Sequence, residues 1–276
     1  WEIRLPRTVG AWAAGALLGL AGAVAQGLFR NPLADPYLLG SASGASLGVA
    51  LALAAMGGAA GMLGGGASQG GLVIGVFSNS VLVRLGLTGA AFLGSVAAIV
   101  LTLVLSRGVG HTLRLLLAGV IVGAVLGAVT HLVLMASPDS LQAMWAFMLG
   151  STAFVGWVSL VLMVVAWLVS LVAAWLLSRV LDALSLGDAT AQSLGLPVVP
   201  MRAALVGVLA LATGTAVAQT GLIAFVGLAA PHLVRSAIKT THGQLIVLAS
   251  LVGGVLLMAA DTLARWLIAP QELPVG

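Results

Sequence analysis

The sequence lacks cysteine and carries very little charge. The absence of cysteine excludes disulfides and thiolate metal sites. Eleven basic and seven acidic residues hold all of the formal charge in 276 residues. The single lysine, Lys239, follows no glycine-rich turn, which excludes a phosphate-cradling P-loop and ATP binding of that kind. No pair of acids or histidines shares a face near a predicted cavity, so the sequence does not favour an enzyme.

What the chain does contain is apolar sequence in long uncharged tracts. Hydrophobic residues make up 61% of the chain, and its mean hydropathy is +1.20. An α-helix needs roughly 20 apolar residues to cross a bilayer, and the tracts lack the alternation of a barrel strand. The sequence predicts an all-α polytopic transmembrane helix bundle, a single domain over 1–276. Its eight predicted spans are 8–29, 38–56, 87–106, 113–136, 157–178, 203–219, 222–238 and 244–268.

The distribution of basic residues predicts the orientation. When the loops are assigned alternately to two sides, one side collects seven of the eleven basic residues, and the positive-inside rule makes that side cytoplasmic. The residues at 1–7 are then outside, and the polar hairpin 179–202 is inside. Loop arginines account for the net charge of +4, so no nucleic-acid partner is needed. The cytoplasmic group is Arg30, Arg107, Arg114, Arg179, Arg202, Arg235 and Lys239.

Glycine is abundant, with 37 residues, and much of it is spaced for helix packing. Glycines four residues apart let helix backbones approach closely in lipid, although glycine is also common in membrane helices for no specific reason. The glycine-rich stretch 57–71 has nothing to fill a helix face and is predicted to be a flexible outer loop. The predicted contact faces are those of Gly15 and Gly19, of Gly40, Gly44 and Gly48, and of Gly119, Gly123 and Gly127.

Three segments depart from plain span composition. Residues 30–46 form a polar turn with two prolines, interpreted first as a tight cytoplasmic turn. Residues 221–235 include Pro231, which removes a backbone hydrogen bond and predicts a break at membrane depth; the neighbouring His232 is an interfacial side chain or, less favoured, a proton relay or metal ligand. Residues 184–197 predict a short amphipathic helix, with Asp188 as its cap and Gly195 at its end. That helix is either a handle for a partner or a surface turn.

Four motifs, in order along the chain, resemble one transporter family. They are IRLPRT at 3–8, RNPLADP at 30–36, LGDATAQSLGL at 186–196 and FVGLAAPH at 225–232. Together they resemble the permeases of iron-siderophore, haem and vitamin B12 ABC importers. The resemblance implies a homodimer of ten-helix subunits in the bacterial inner membrane. The eight predicted spans agree with ten helices if one helix is missing before residue 1 and one after residue 276, and the family continues into a further helix after a segment like ELPVG at 272–276. The sequence is therefore expected to be a fragment at both ends.

The resemblance also implies the partners and the mechanism. Two cytoplasmic ABC ATPase subunits would hold ATP and Mg, and this chain would hold no cofactor and no metal. A periplasmic or lipid-anchored binding protein would deliver an iron chelate (siderophore or haem) or cobalamin, moved by alternating access. The segment that resembles the ATPase-coupling helix comprises Leu186, Gly187, Asp188, Ala191, Leu194, Gly195 and Leu196, with Ala191 and Gly195 allowing close approach.

Arg4 and Arg265 match the outward-facing arginines that dock the binding protein, although Arg265 has an alternative role as a local partner of Asp261, four residues earlier. The expected translocation pathway is polar and aromatic without charge. The rival class is an ion-coupled secondary transporter acting without an ATPase, which would need ionisable residues at mid-membrane depth. The pathway candidates are Gln26, Ser41, Ser43, Gln219, Phe225, Gly227 and Pro231.

Overall fold

The computed structural model describes residues 4–62, 81–153, 155–267 and 273–276, and these residues form an all-α structure. The first helices are α1 (Arg4–Phe29), α2 (Ser41–Met62), α3 (Val81–Leu105) and α4 (Thr112–Ala136). A 3₁₀ turn (Pro138–Ser140) leads into α5 (Leu141–Met148), followed by α6 (Trp157–Leu176), α7 (Ser178–Ser185) and α8 (Asp188–Ser193). The last helices are α9 (Val198–Thr220), α10 (Val226–Ala237) and α11 (His242–Trp266).

Six of these helices are long and apolar enough to cross a bilayer: α1, α3, α4, α6, α9 and α11. They correspond to six of the eight predicted spans. The span predicted at 38–56 starts three residues late, at Ser41, and α2 continues to Met62. The glycine-rich stretch 57–71 was predicted to be loop, so that prediction is wrong for 57–62, and the remainder lies outside the described residues. The span predicted at 222–238 is only the 12-residue helix α10, which covers about 18 Å and is too short to cross alone.

Helix α1 is the centre of the bundle. Twenty of its 26 residues are buried, and it packs against α6, α9, α10 and α11. Helix α9 joins this group to a second group made of α2, α3 and α4. By contrast, α4 and α6 leave most of their apolar side chains exposed, as expected for helices that face lipid or another subunit. The membrane environment therefore explains a surface that water would not tolerate.

Close glycine contacts hold the helices together. A Cβ atom added to Gly15 would lie 2.3 Å from the backbone oxygen of Gly253, and one added to Gly19 would lie 2.3 Å from that of Ala249. Gly44 and Gly48 approach α3 in the same way. These predicted faces are confirmed. The prediction is wrong for Gly127, since no heavy atom of the described chain lies within 4 Å of its added Cβ.

The break at membrane depth is real but lies before Pro231. Helix α10 runs without interruption through that proline, while residues 221–225 are non-helical and Phe225 adopts a left-handed conformation with φ +65°. Pro231 is the sixth residue of α10, past the first turn, so it removes one intrahelical hydrogen bond. Pro231 has no N–H for the carbonyl of Gly227, and that carbonyl instead faces Gly22 of α1. The predicted break is therefore displaced to the glycine that ends α9, Gly221.

The α1–α2 turn, residues 30–40, folds back against the bundle. Its second half is largely buried, and the hydroxyl of Tyr37 donates to the carbonyl oxygen of Ile223 at 3.0 Å. Pro36 packs directly against Gly227, where an added Cβ would lie 2.5 Å from its ring. The tight turn that the sequence indicated is present, and it also packs into the bundle. It contacts the break at Ile223 and the start of α10 at Gly227.

Candidate functional site

The end of the bundle that the basic residues predict to be cytoplasmic, called the inner end below, carries a short helix bracketed by two glycines. Gly187 (φ +111°) precedes α8 and Gly195 (φ +80°) follows it, and both conformations disfavour side chains. The N–H of Leu196 donates to Ala191 and that of Gly195 to Gln192, which is the Schellman arrangement that ends a helix. The predicted short helix is thus present, and Gly195 ends it as the sequence indicated.

The exposed side of this segment mixes apolar and polar side chains, since Thr190, Gln192 and Ser193 are exposed beside two leucines. Leu186 and Leu194 are 67% and 64% exposed, so they present side chains that a partner protein could cover. Ala191, predicted to allow close approach in the coupling segment, is fully buried and packs into the bundle core. Leu196 also packs against that core. The small side chain of Ala191 thus brings α8 close to its own bundle, and its part in ATPase coupling stays a prediction.

Asp188, predicted to be the helix cap, has another role. The cap position is Gly187, without a side-chain cap bond, and the Asp188 carboxylate instead binds two arginines. Arg202 of α9 contacts it at 2.7 Å, and Arg30 of the α1–α2 turn also binds it. Burial alone would raise the pKa of Asp188, but the hydrogen bonds and charges of Arg202 and Arg30 outweigh that effect and lower it. The carboxylate therefore stays ionised at neutral pH.

Arg202 is the buried member of this cluster. Its side chain is 1% exposed, and it also donates to the carbonyl oxygens of Val109 and Gly110 at 3.3 and 3.0 Å. Those carbonyls belong to the α3–α4 connection. We name Arg30, Asp188 and Arg202 the inner charge cluster. It joins α8 to α9 and to two other connections at the same end of the bundle.

The outer end holds a second charge cluster around Asp261 of α11. This carboxylate is fully buried and binds Arg265 at 2.7 Å and Arg7 at 3.5 Å. The hydroxyl of Thr152 also donates to it, and Arg265 further contacts the hydroxyl of Thr8 at 3.4 Å. The local pairing of Arg265 with Asp261 is therefore present, and one quarter of the Arg265 side chain stays exposed. Of the two docking candidates, Arg4 is the freely exposed one.

The pathway candidates do not share one surface. Gln26 is buried, donates to the carbonyl of Leu228 and accepts from Arg235, so it fixes α10 to α1 and lines no open space. Ser41, Gly227 and Pro231 are buried as well within the single chain. Burial in one copy does not test a pathway between two copies, so these four residues stay predictions. Phe225 is 74% exposed at the start of α10, and Ser43 is half-buried.

Gln219 lines the one sizeable cavity near the outer ends of the helices that the described residues show. This cavity has a volume of about 420 Å³ and lies between α2, α3, α5 and the end of α9. Its other walls are mainly apolar, with hydroxyl groups from Thr88, Ser151 and Thr220. Such a lining offers weak polar contacts and no charge.

Sequence reasoning missed the roles of Arg202, Arg7 and Thr152. An arginine at the start of a span was interpreted as a loop charge that sets topology. For Arg202, the available signal was its position directly before the predicted span 203–219 and 14 residues after the acidic Asp188. Among the described residues, no group of three or more histidine, cysteine or acidic side chains could hold a metal ion.

These features define a class of protein: a polytopic helical membrane protein. The sequence matches the profile of the FecCD transport family over residues 1–276, and the chain belongs to that family.

Three relatives illustrate the membership. The hemin transport system permease protein HmuU of Yersinia pestis is 38% identical over 279 residues, covering 100% of this chain and 77% of that protein. The vitamin B12 import system permease protein BtuC of Salmonella typhi is 36% identical over 280 residues, covering 100% and 78%. An uncharacterized ABC transporter permease protein of Bacillus subtilis, YvrB, is 37% identical over 278 residues, covering 100% and 73%.

Solved structures agree with the fold. An inward-facing conformation of a metal-chelate type ABC transporter superposes with a TM-score of 0.84 at 29% identity, covering 99% of this chain and 80% of that one. PsaBC from Streptococcus pneumoniae in complex with Fab superposes with a TM-score of 0.65 at 16% identity, covering 97% and 84%, which shows the fold alone. The chain is therefore an ABC transporter permease and a multi-pass membrane protein.

Proposed function

We propose that this chain is the membrane-spanning subunit of an importer that carries an iron chelate (siderophore or haem) or cobalamin across the bacterial inner membrane. Relatives transport hemin or vitamin B12, and a structural relative is of the metal-chelate type. The single observation that carries the proposal is α8, a short helix between two glycines that is flanked by the exposed Leu186 and Leu194 and held at the inner end by the inner charge cluster. This arrangement supports α8 as the segment that a cytoplasmic ATPase subunit binds.

In the proposed mechanism, two ATPase subunits with bound ATP and Mg grip α8 in each of two copies of this chain. Their closure and reopening move α8 and switch the side to which the dimer's cavity opens. Cargo would pass between the two copies, since α4 and α6 leave extended apolar faces that a second copy or lipid can cover. The permease itself performs no chemistry on the cargo.

An ion-coupled secondary transporter is the less favoured alternative. Such a protein needs an ionisable group that can exchange its coupling ion. Within the described helices, Asp261 is the buried acid, and two arginines and Thr152 already neutralise and bond it at the outer end of α11. That environment supports a structural ion pair over ion carriage.

Reconstitution tests the proposal directly. We expect proteoliposomes with the permease, its ATPase and the cargo-loaded binding protein to accumulate labelled cargo when ATP and Mg are supplied on the ATPase side. The permease alone should accumulate none, with or without a proton or sodium gradient. Gradient-driven uptake by the permease alone would contradict the importer and favour the secondary transporter.

A second prediction concerns the outer surface. Arg4→Glu should lower the uptake rate about tenfold at subsaturating binding protein, because a rim charge mainly affects the rate of docking. The defect should shrink at saturating binding protein and at high salt, as initial rates across a titration would show. Arg114→Glu, an exposed arginine in the first turn of α4 at the inner end, is the matched control. Equal uptake rates for Arg4→Glu and wild type at low salt would refute docking through Arg4.

A further inference from the structure

The inner charge cluster joins α8 to the rest of the protein through one carboxylate. Asp188 is the first residue of α8, Arg202 lies in the first turns of α9, and Arg30 immediately follows α1. Few polar contacts other than those of Asp188 join α8 to another element, since the remaining side-chain bond of this helix, from Ser193 to Thr190, is internal. The position of α8 therefore depends on this carboxylate.

The two arginines hold Asp188 in unequal ways. Arg202 is 1% exposed and is bonded to two backbone carbonyls, so withdrawal of Asp188 would leave a buried cation without a counter-charge. Arg30 is 36% exposed, and water would replace the carboxylate if that pair separated. One pair is thus costly to break, and the other is cheap.

The ion pair of Arg30 with Asp188 connects α8 to the turn that contacts the break before α10. Arg30 belongs to the α1–α2 turn, whose Tyr37 donates to Ile223 and whose Pro36 packs against Gly227. A displacement of α8 that pulls Arg30 therefore acts on a turn that touches the break at Ile223 and the start of α10 at Gly227. A continuous chain of contacts therefore runs from α8 to the non-helical segment 221–225 inside the bundle.

We propose that Asp188 is the positioning residue of α8, held to α9 by Arg202 in every state and tied by Arg30, in only some states, to the turn that controls the segment 221–225. The proposal rests on the proposed function, because it assigns the route by which motion of α8 reaches the bundle. On this route the Arg202 pair with Asp188 stays formed in every state, and the Arg30 pair forms in some states and breaks in others.

The test compares cargo moved per ATP hydrolysed in proteoliposomes that contain permease, ATPase and loaded binding protein. We expect Arg30→Gln to lower this ratio about five- to tenfold, within the range of typical coupling effects, while ATP hydrolysis and the apparent melting temperature stay close to wild type. Arg30→Lys keeps the charge and should recover part of the ratio. Asp188→Asn should lower both the ratio and the melting temperature, because it also deprives Arg202 of its counter-charge.

Arg114→Gln, which removes an exposed inner arginine outside the cluster, is the control and should leave the ratio unchanged. A wild-type ratio in Arg30→Gln would overturn the proposal. A parallel fall of melting temperature, hydrolysis and uptake in Arg30→Gln would also overturn it, since that pattern indicates only a structural role. If wild type itself showed no ATP-driven uptake, the proposed function would fail first, and the two failures are therefore distinguishable.

Discussion

Gly22→Ala should prevent the bundle from assembling, although it adds only one methyl group. The added Cβ would lie 1.7 Å from the carbonyl oxygen of Gly227 and 2.8 Å from its Cα. Both are backbone atoms, so no side chain can rotate away, and α1 and α10 would have to separate. Overpacking commonly costs about 1–3 kcal/mol, and a backbone clash of this kind should exceed that range. We expect a large loss of monodisperse protein in detergent and a strongly lowered apparent melting temperature.

The matched control for this variant is Gly207→Ala in the exposed part of α9. No heavy atom of the described chain lies within 4 Å of its added Cβ. Alanine is favoured over glycine within a helix by about 0.5–1 kcal/mol, so this variant should be neutral or slightly more stable. Equal yields and melting temperatures for the two variants would show that α1 and α10 do not pack at this distance.

The second large effect is expected at the outer charge cluster. The double variant Arg7→Gln with Arg265→Gln leaves the fully buried carboxylate of Asp261 without either arginine. A buried charge that loses its partners costs about 3–5 kcal/mol. We expect a marked fall in the apparent melting temperature of the double variant and a smaller fall for each single variant, measured by thermal unfolding in detergent.

A rescue variant separates this electrostatic cost from loss of packing. Adding Asp261→Asn to the double variant removes the orphaned charge and should recover a substantial part of the melting temperature. Absence of recovery would mean that the arginines stabilise the outer end by contacts other than their pairing with Asp261. The comparison also matters for docking, because Arg265→Glu would place a second carboxylate beside Asp261. Loss of uptake in that variant would therefore not isolate a docking role, whereas Arg4→Glu would.

Features set by local chemistry could be predicted from the sequence. Long uncharged tracts indicated the spanning helices, because an apolar helix of that length has no stable place in water. Four-residue glycine spacing indicated the α1 face of Gly15 and Gly19, which packs on α11. The C-terminal end of α8 could be placed at Gly195, since helices often end at a glycine in a left-handed conformation, whereas the cap was predicted at Asp188 and lies at Gly187.

Features set by tertiary packing could not be predicted in the same way. Ala191 and Gln26 were assigned to coupling and to the pathway, and the sequence did not indicate that both are buried within the single chain. The pairing of Asp188 with Arg202 and Arg30 joins three separate segments, and charge position alone suggested only topology and a helix cap. The route of the α1–α2 turn into the bundle follows from the room that Gly227 leaves for Pro36, which no local pattern reveals.

The central position of α1 has a consequence for biosynthesis. It is the least apolar of the six long helices and also the most enclosed, and its principal neighbour is α11, which starts only at His242. Transfer into lipid alone therefore stabilises α1 in the bilayer less than it stabilises the other long helices. We expect α1 to stay beside the insertion machinery during translation until α11 has been made and can pack against it.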